Sequence, residues 1–143
     1  MIYTIDSLQK MAQFAHSFTE KLRQSQQAIV IALRGDLGSG KTTFVQNVAK
    51  SLGINEDVTS PTFVIQKTYE IPKKSEFKKL VHVDAYRLDS AEDLTKLGFQ
   101  DVLKDKESVV FIEWPEKISS VLPKDVEYID RSEEHTSELQ SPC

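Results

Sequence analysis

The chain has 143 residues, 39% hydrophobic and 28% charged, with a formal net charge of −4; that suffices for one domain with a full core and is too acidic for retention on nucleic acid by bulk positive charge. No apolar run approaches the ~18–20 residues of a membrane span, and Met1 to Asp6 lacks the basic and apolar regions of a secretory signal. A single cysteine, Cys143, excludes an internal disulfide and a Cys-based zinc site, and three scattered histidines speak against a His-clustered metal site, so a cytoplasmic globular chain is expected, with neither membrane nor DNA as partner.

In chain order, Ile2 to Ile5 suits a short strand. Asp6 or Ser7 can cap a helix from Leu8 to Gln24, along which Leu8, Met11, Phe14, Ala15, Phe18 and Leu22 recur at helical spacing. Ala28 to Leu33 is a continuous apolar run, as in a strand buried on both faces of a parallel sheet. A glycine-rich loop from Gly35 to Gly40 leads into a helix from Lys41 to Leu52, ended by Gly53. Strands are predicted at Phe63 to Glu70 and Leu80 to Ala85, with Pro72 to Glu76 as the hairpin loop between them. A short helix is predicted from Ser90 to Leu97, with Ser90 and Asp93 as a capping box and Gly98 after the stop. Ser108 to Glu113 is a second buried strand, Pro115 to Val121 a helical turn, and Val126 to Ile129 a last strand. Alternating strands and helices predict an α/β sandwich with a largely parallel central sheet flanked by helices, and the glycine-rich loop between the first buried strand and its helix makes it P-loop NTPase-like.

Residues 1–130 read as one P-loop ATPase domain whose C-terminal end is truncated. The stretch 131–143, Arg-Ser-Glu-Glu-His-Thr-Ser-Glu-Leu-Gln-Ser-Pro-Cys, is polar and without periodicity. It resembles a translated DNA-sequencing adapter and is expected to be a non-native or disordered tail.

The chemistry is concentrated in Gly35-Asp36-Leu37-Gly38-Ser39-Gly40-Lys41-Thr42, a full Walker A pattern. A chance match in a chain this long is on the order of 0.5%. The glycines allow the backbone to turn its N–H groups around a phosphate, and the following helix start adds a positive dipole end. Lys41 would reach the β- and γ-phosphates, Thr42 would hold Mg²⁺, and Thr43 is placed for a neighbouring phosphate. Such a loop also needs an acid at the end of an apolar strand. Asp84 and Glu113 both qualify. The strand before Glu113 is the more apolar, which places Glu113 at the metal and leaves Asp84 to hold a metal-bound water or orient the attacking one; the two roles are exchangeable at this stage. No Asn-Lys-x-Asp tetrapeptide occurs, so ATP is favoured over GTP. Before residue 131 there are three arginines, Arg23, Arg34 and Arg87. That is few for a small-molecule P-loop kinase, the alternative reading, and suits a slow ATPase that awaits a partner. A third reading is a nucleotide-dependent interaction module.

Four motifs occur in order: Gly35 to Phe44, Ser60-Pro61-Thr62-Phe63, Asp84-Ala85-Tyr86-Arg87-Leu88 and Glu113-Trp114-Pro115. In these the chain resembles the TsaE family, the ATPase subunit of the bacterial machinery that makes threonylcarbamoyladenosine in tRNA. The likeness runs from Ile2 to Asp130. It implies ATP and Mg²⁺, a weak ATPase stimulated in a complex, partner proteins TsaB and TsaD, and action on tRNA position 37 through that complex. It maps the phosphate loop onto Gly35 to Thr43, the metal-binding glutamate onto Glu113 and the catalytic-site aspartate onto Asp84. It also marks Ser60-Pro61-Thr62 as a switch in which Thr62 senses the γ-phosphate. Where the family often has a threonine near the start of the first helix, this chain has Lys10-Met11-Ala12.

Other residues have plainer expectations. Phe14 and Phe18 are core residues of the first helix. Trp114 is expected to pack behind its strand, and Tyr86-Arg87 is either a plain exposed surface pair or a contact to a partner or a phosphate. Lys73, Lys74, Lys78 and Lys79 form a solvated hairpin tip. His82 faces away from Val81 and Val83, as a structural or exposed histidine.

Overall fold

The computed structural model describes residues 2–5, 8–35, 41–58, 65–72, 75–131 and 137–140. Seven strands form one sheet: β1 (Ile2–Ile5), β2 (Ile29–Gly35), β3 (Gln66–Glu70), β4 (Lys79–Asp84), β5 (Ser108–Glu113), β6 (Glu127–Arg131) and β7 (Ser137–Gln140). The helices are α1 (Leu8–Lys21), α2 (Lys41–Ser51), α3 (Ala91–Thr95) and α4 (Phe99–Lys104), with a 3-10 segment at Pro115–Val121. In space the strands run β1-β7-β6-β2-β5-β4-β3. The four central ones, β6, β2, β5 and β4, are mutually parallel, and the antiparallel pairs lie toward the two edges.

The two apolar runs form the middle of this sheet. All six residues of β5 are buried, because it lies between β2 and β4 and is covered on both faces. Strand alternation divides the side chains between two cores. Ile31, Leu33, Leu80, Val109 and Phe111 face α1 and α2. Val30, Ala32, Val81, Val83, Val110 and Ile112 face α3, α4 and the 3-10 segment through Leu94, Phe99 and Ile118. On the first face Phe44 of α2 stands at the centre of an aromatic group, its ring 5.7 Å from Phe14, 5.6 Å from Phe18 and 6.0 Å from Phe111. Such tilted and edge-on contacts dock α1 onto α2 and the sheet. Phe14 and Phe18 thus have the core role expected of them.

Several boundaries differ from the sequence reading. The first helix ends at Lys21, short of Gln24, and β2 extends to Gly35. Ser90 makes no side-chain capping bond, so the expected capping box is not formed; the Asp93 N–H instead donates to the Ser90 carbonyl at 3.3 Å. α3 ends at Thr95, before the expected Leu97; Gly98, with φ 82°, follows that stop, and a separate helix, α4, starts directly after it. β6 covers Glu127–Arg131, one residue later at its start than expected. Within the stretch 131–143, Arg131 closes β6 and Ser137–Gln140 pairs with Ile2–Ile5. Among the described residues no helix is long and apolar enough to cross a membrane.

The strand order places a functional crevice. From β2 the chain passes through α2 toward β4, whereas from β5 it passes through the 3-10 segment to β6, on the other side of β2. Neighbouring strands whose connections leave in opposite directions open a gap between their carboxyl ends, where α/β sheets bind ligands.

Candidate active site

Gly35 ends β2 and Glu113 ends β5, both at this switch point. In the register Glu113 lies opposite Leu33 of β2 on one side and Asp84 of β4 on the other. Lys41 is the first residue of α2, followed by Thr42 and Thr43. Asp36, Leu37, Gly38, Ser39, Gly40 and Thr62 lie outside the described residues.

The start of α2 meets the end of β5 directly. The Thr42 hydroxyl donates to Glu113 Oε2 at 3.2 Å. Thr43 is half-buried, and its carbonyl accepts a bond from the Asn47 side-chain amide at 2.9 Å, which braces the first turn of α2. Glu113 is 5% exposed and Asp84 6%. Carboxylates this enclosed are rare unless hydrogen-bonded or used. Asp84 Oδ1 accepts the N–H of Tyr86 at 3.0 Å, two residues ahead, which fixes the carboxyl and starts the turn after β4. Ala85 N–H in turn donates to the Glu113 carbonyl at 3.0 Å, tying the ends of β4 and β5 together. The structure therefore brings Thr42, Asp84 and Glu113 together, a hydroxyl and two carboxylates at the mouth of the crevice. An all-oxygen set of this kind suits a hard divalent cation.

One further member was given no functional role in the sequence reading. His82 is completely buried and its Nε2 lies in hydrogen-bond contact with Glu113 Oε2 at 2.6 Å. Of the two settings expected for it, the interior is the one observed. Period two does place His82 on the face of Asp84, away from Val81 and Val83, but the sequence carries no sign of its pairing with a residue 31 positions on.

Trp114 follows Glu113 in a left-handed conformation, φ 60° and ψ 53°. It is half-buried, packed against the second core and 5.0 Å from the exposed ring of Tyr86, consistent with packing. Arg87 is exposed, as expected of a surface arginine. Of the hairpin lysines, Lys78 and Lys79 are exposed and Lys79 stands 3.9 Å from Asp105, while Lys73 and Lys74 lie outside the described residues.

A P-loop NTPase-like α/β sandwich, with strand-end acids facing the first turn of the helix after β2, is the class these features define. Residues 5–140 match the model of the family described as "Threonylcarbamoyl adenosine biosynthesis protein TsaE". The chain belongs to that family. It is 38% identical over 125 residues to the tRNA threonylcarbamoyladenosine biosynthesis protein TsaE of Borreliella burgdorferi, a match covering 87% of this chain and 85% of the relative. The protein of the same name from Haemophilus influenzae is 35% identical over 116 residues, covering 80% and 70%. Among solved structures, the crystal structure of Bacillus subtilus YdiB superimposes with a TM-score of 0.72 at 26% identity, covering 97% of this chain and 82% of that one.

Proposed function

We propose that this chain is an ATP-binding and ATP-hydrolysing subunit acting in threonylcarbamoyladenosine modification of tRNA, as the names of its relatives suggest, and that it works with TsaB-like and TsaD-like partner proteins. The observation that carries the ATPase part is the contact between Thr42, the last residue of a full Walker A sequence at the start of α2, and Glu113 at the end of β5. Phosphates would be held by the backbone of Gly35 to Thr43 and by Lys41, at the positive end of α2. Thr42 and Glu113 would hold Mg²⁺, which supplies charge stabilisation at the γ-phosphate when bound. Asp84, whose Oδ1 accepts the Tyr86 N–H, would take a proton from the attacking water or orient it. Thr62 would respond to the γ-phosphate. The inventory has Arg87 as the sole arginine of the four motifs, which fits weak turnover that rises when partners complete the site.

This reading places the activity in 1–130, where every described site residue lies, and takes 131–143 as foreign to it. Sequencing the gene across codons 130 and 131 from source DNA tests the latter point; an uninterrupted native frame through 131–143 overturns it.

The deciding experiment is ATP hydrolysis by the full chain with and without purified TsaB-like and TsaD-like partners, using Lys41→Ala as the control. Inorganic phosphate released in step with ADP, raised by the partners and absent in the control, is the expected result. Full turnover in Lys41→Ala overturns the site. Transfer of the phosphoryl group to a small acceptor would establish a kinase instead.

A further inference from the structure

We propose that His82 is a positioning residue for Glu113: its Nε2–H holds Oε2 of the carboxylate so that the group is presented in one orientation to a divalent cation. The proposal rests on the reading of Glu113 as a metal ligand. His82 lies at the middle of β4, with Leu80 and Asp84 on the same face. It is completely buried, and among the described residues its Nδ1 has no hydrogen-bond partner. A leucine or valine would fill such a position without leaving a polar atom unsatisfied, as Leu80, Val81 and Val83 do on the same strand. Packing therefore does not account for a histidine here. Its one polar side-chain contact among the described residues, 2.6 Å to Glu113 Oε2, does.

The chemistry of that contact is directional. An ionised carboxylate can only accept, so the hydrogen of this contact resides on Nε2. The Thr42 hydroxyl reaches the same oxygen, so two donors from β4 and α2 converge on Oε2. Two donors on one oxygen restrict rotation of the carboxyl about its terminal bond. They leave Oε1 as the oxygen without a hydrogen bond among the described residues. A partner of this kind behind a metal ligand typically contributes about 10–100-fold in metal affinity.

The test compares His82→Gln, whose amide nitrogen reaches the place of Nε2, with His82→Asn, whose amide falls short of it. Binding of ATP is followed calorimetrically in EDTA and across a Mg²⁺ titration, with thermal melts to establish the fold and Glu113→Gln alongside. The expected result is that His82→Asn needs roughly tenfold more Mg²⁺ to tighten ATP binding, while its affinity in EDTA stays within about twofold of the parent. His82→Gln should stay within about threefold of the parent throughout. Equal behaviour of the Asn and Gln variants, whether both unaffected or both impaired, overturns the proposal. If Glu113→Gln keeps the parent's Mg²⁺ response, the metal reading of Glu113 fails and His82 with it. If Glu113→Gln loses that response while His82→Asn does not, the positioning role alone fails. Nitrogen NMR of the unaltered protein gives a second reading that needs no variant. A proton on Nε2 whose resonance moves when Mg²⁺ is added to the ATP complex is expected, and a proton on Nδ1 alone overturns the assignment.

Discussion

Asp84 and Glu113 stand directly opposite each other at the carboxyl ends of β4 and β5, and their carboxyl groups are engaged in different ways. Asp84 accepts a backbone N–H from the turn that follows it, whereas Glu113 accepts side-chain donors from α2 and from β4. The strand that the sequence reading judged more central is indeed buried along its whole length. On the proposed function, Glu113, tied to the first turn of α2, would hold the metal and Asp84 would act on water. On that reading, Asp84→Asn retains Oδ1 as an acceptor for Tyr86 and should fold and bind ATP within a few-fold of the parent. Its hydrolysis should fall by about 10²-fold or more, the usual contribution of a positioned general base. Single-turnover hydrolysis beside calorimetric binding checks both halves; equal losses in binding and turnover would count against a water-directed role.

Thr42 offers a paired substitution. Thr42→Ser keeps the hydroxyl that donates to Glu113 Oε2 at 3.2 Å, and Thr42→Val removes it at nearly constant volume. The serine variant should retain Mg²⁺-stimulated ATP binding. The valine variant should lose it, with little change in binding measured in EDTA. Its effect on folding should be small, about 1 kcal/mol, because one partly buried hydrogen bond is lost. Urea titration separates that small loss from the functional one.

The fold was legible where the pattern is long and repeated. The apolar runs of β2 and β5 read as buried parallel strands because nothing but coverage on both faces permits six consecutive apolar or enclosed residues. The aromatic spacing of α1 likewise gave its buried face. What was missed is short or depends on partners. α4 has six residues and begins at Gly98 with no side-chain cap, so neither periodicity nor a start signal marks it. The Ser90–Asp93 pattern looked like a cap, yet Ser90 is extended, with φ −153°, and makes no side-chain capping bond. In the candidate site, Thr42, Asp84 and Glu113 stand in local motifs that mark them in the sequence, and Thr42 and Glu113 meet in the structure. His82 is not marked in this way, since its place beside Glu113 follows from the β4–β5 register, which brings together residues 31 positions apart.

The aromatic group under α2 makes a stability prediction linked to the site. Phe44 is 2% exposed and touches Phe14, Phe18 and Phe111. Phe44→Ala should destabilise the fold by about 3–5 kcal/mol, from lost transfer free energy plus the cavity left among rings of α1 and β5. Phe14, only half-buried on α1, should cost clearly less on truncation. Because Phe44 lies two residues after Thr42 on the same helix, its loss should also weaken ATP binding, which Phe14→Ala should leave nearly unchanged. Chemical denaturation and calorimetry on the two variants provide the comparison.

Gly98 allows a backbone effect to be measured almost free of packing. It adopts φ 82°, between α3 and α4, and a Cβ added there would meet no atom within 4 Å. Any cost of Gly98→Ala therefore comes from the left-handed conformation, which is worth roughly 1–2 kcal/mol for a residue with a Cβ. Asparagine tolerates that conformation better, so Gly98→Asn should lie between glycine and alanine. Its neighbours Leu94 and Phe99 belong to the second core, on the sheet face opposite the one α2 packs against, so ATP binding by both variants should match the parent. Equilibrium unfolding in urea gives the ranking. An alanine variant as stable as the parent would mean that α3 and α4 can join as one continuous helix through residue 98, with the turn no longer required by the fold.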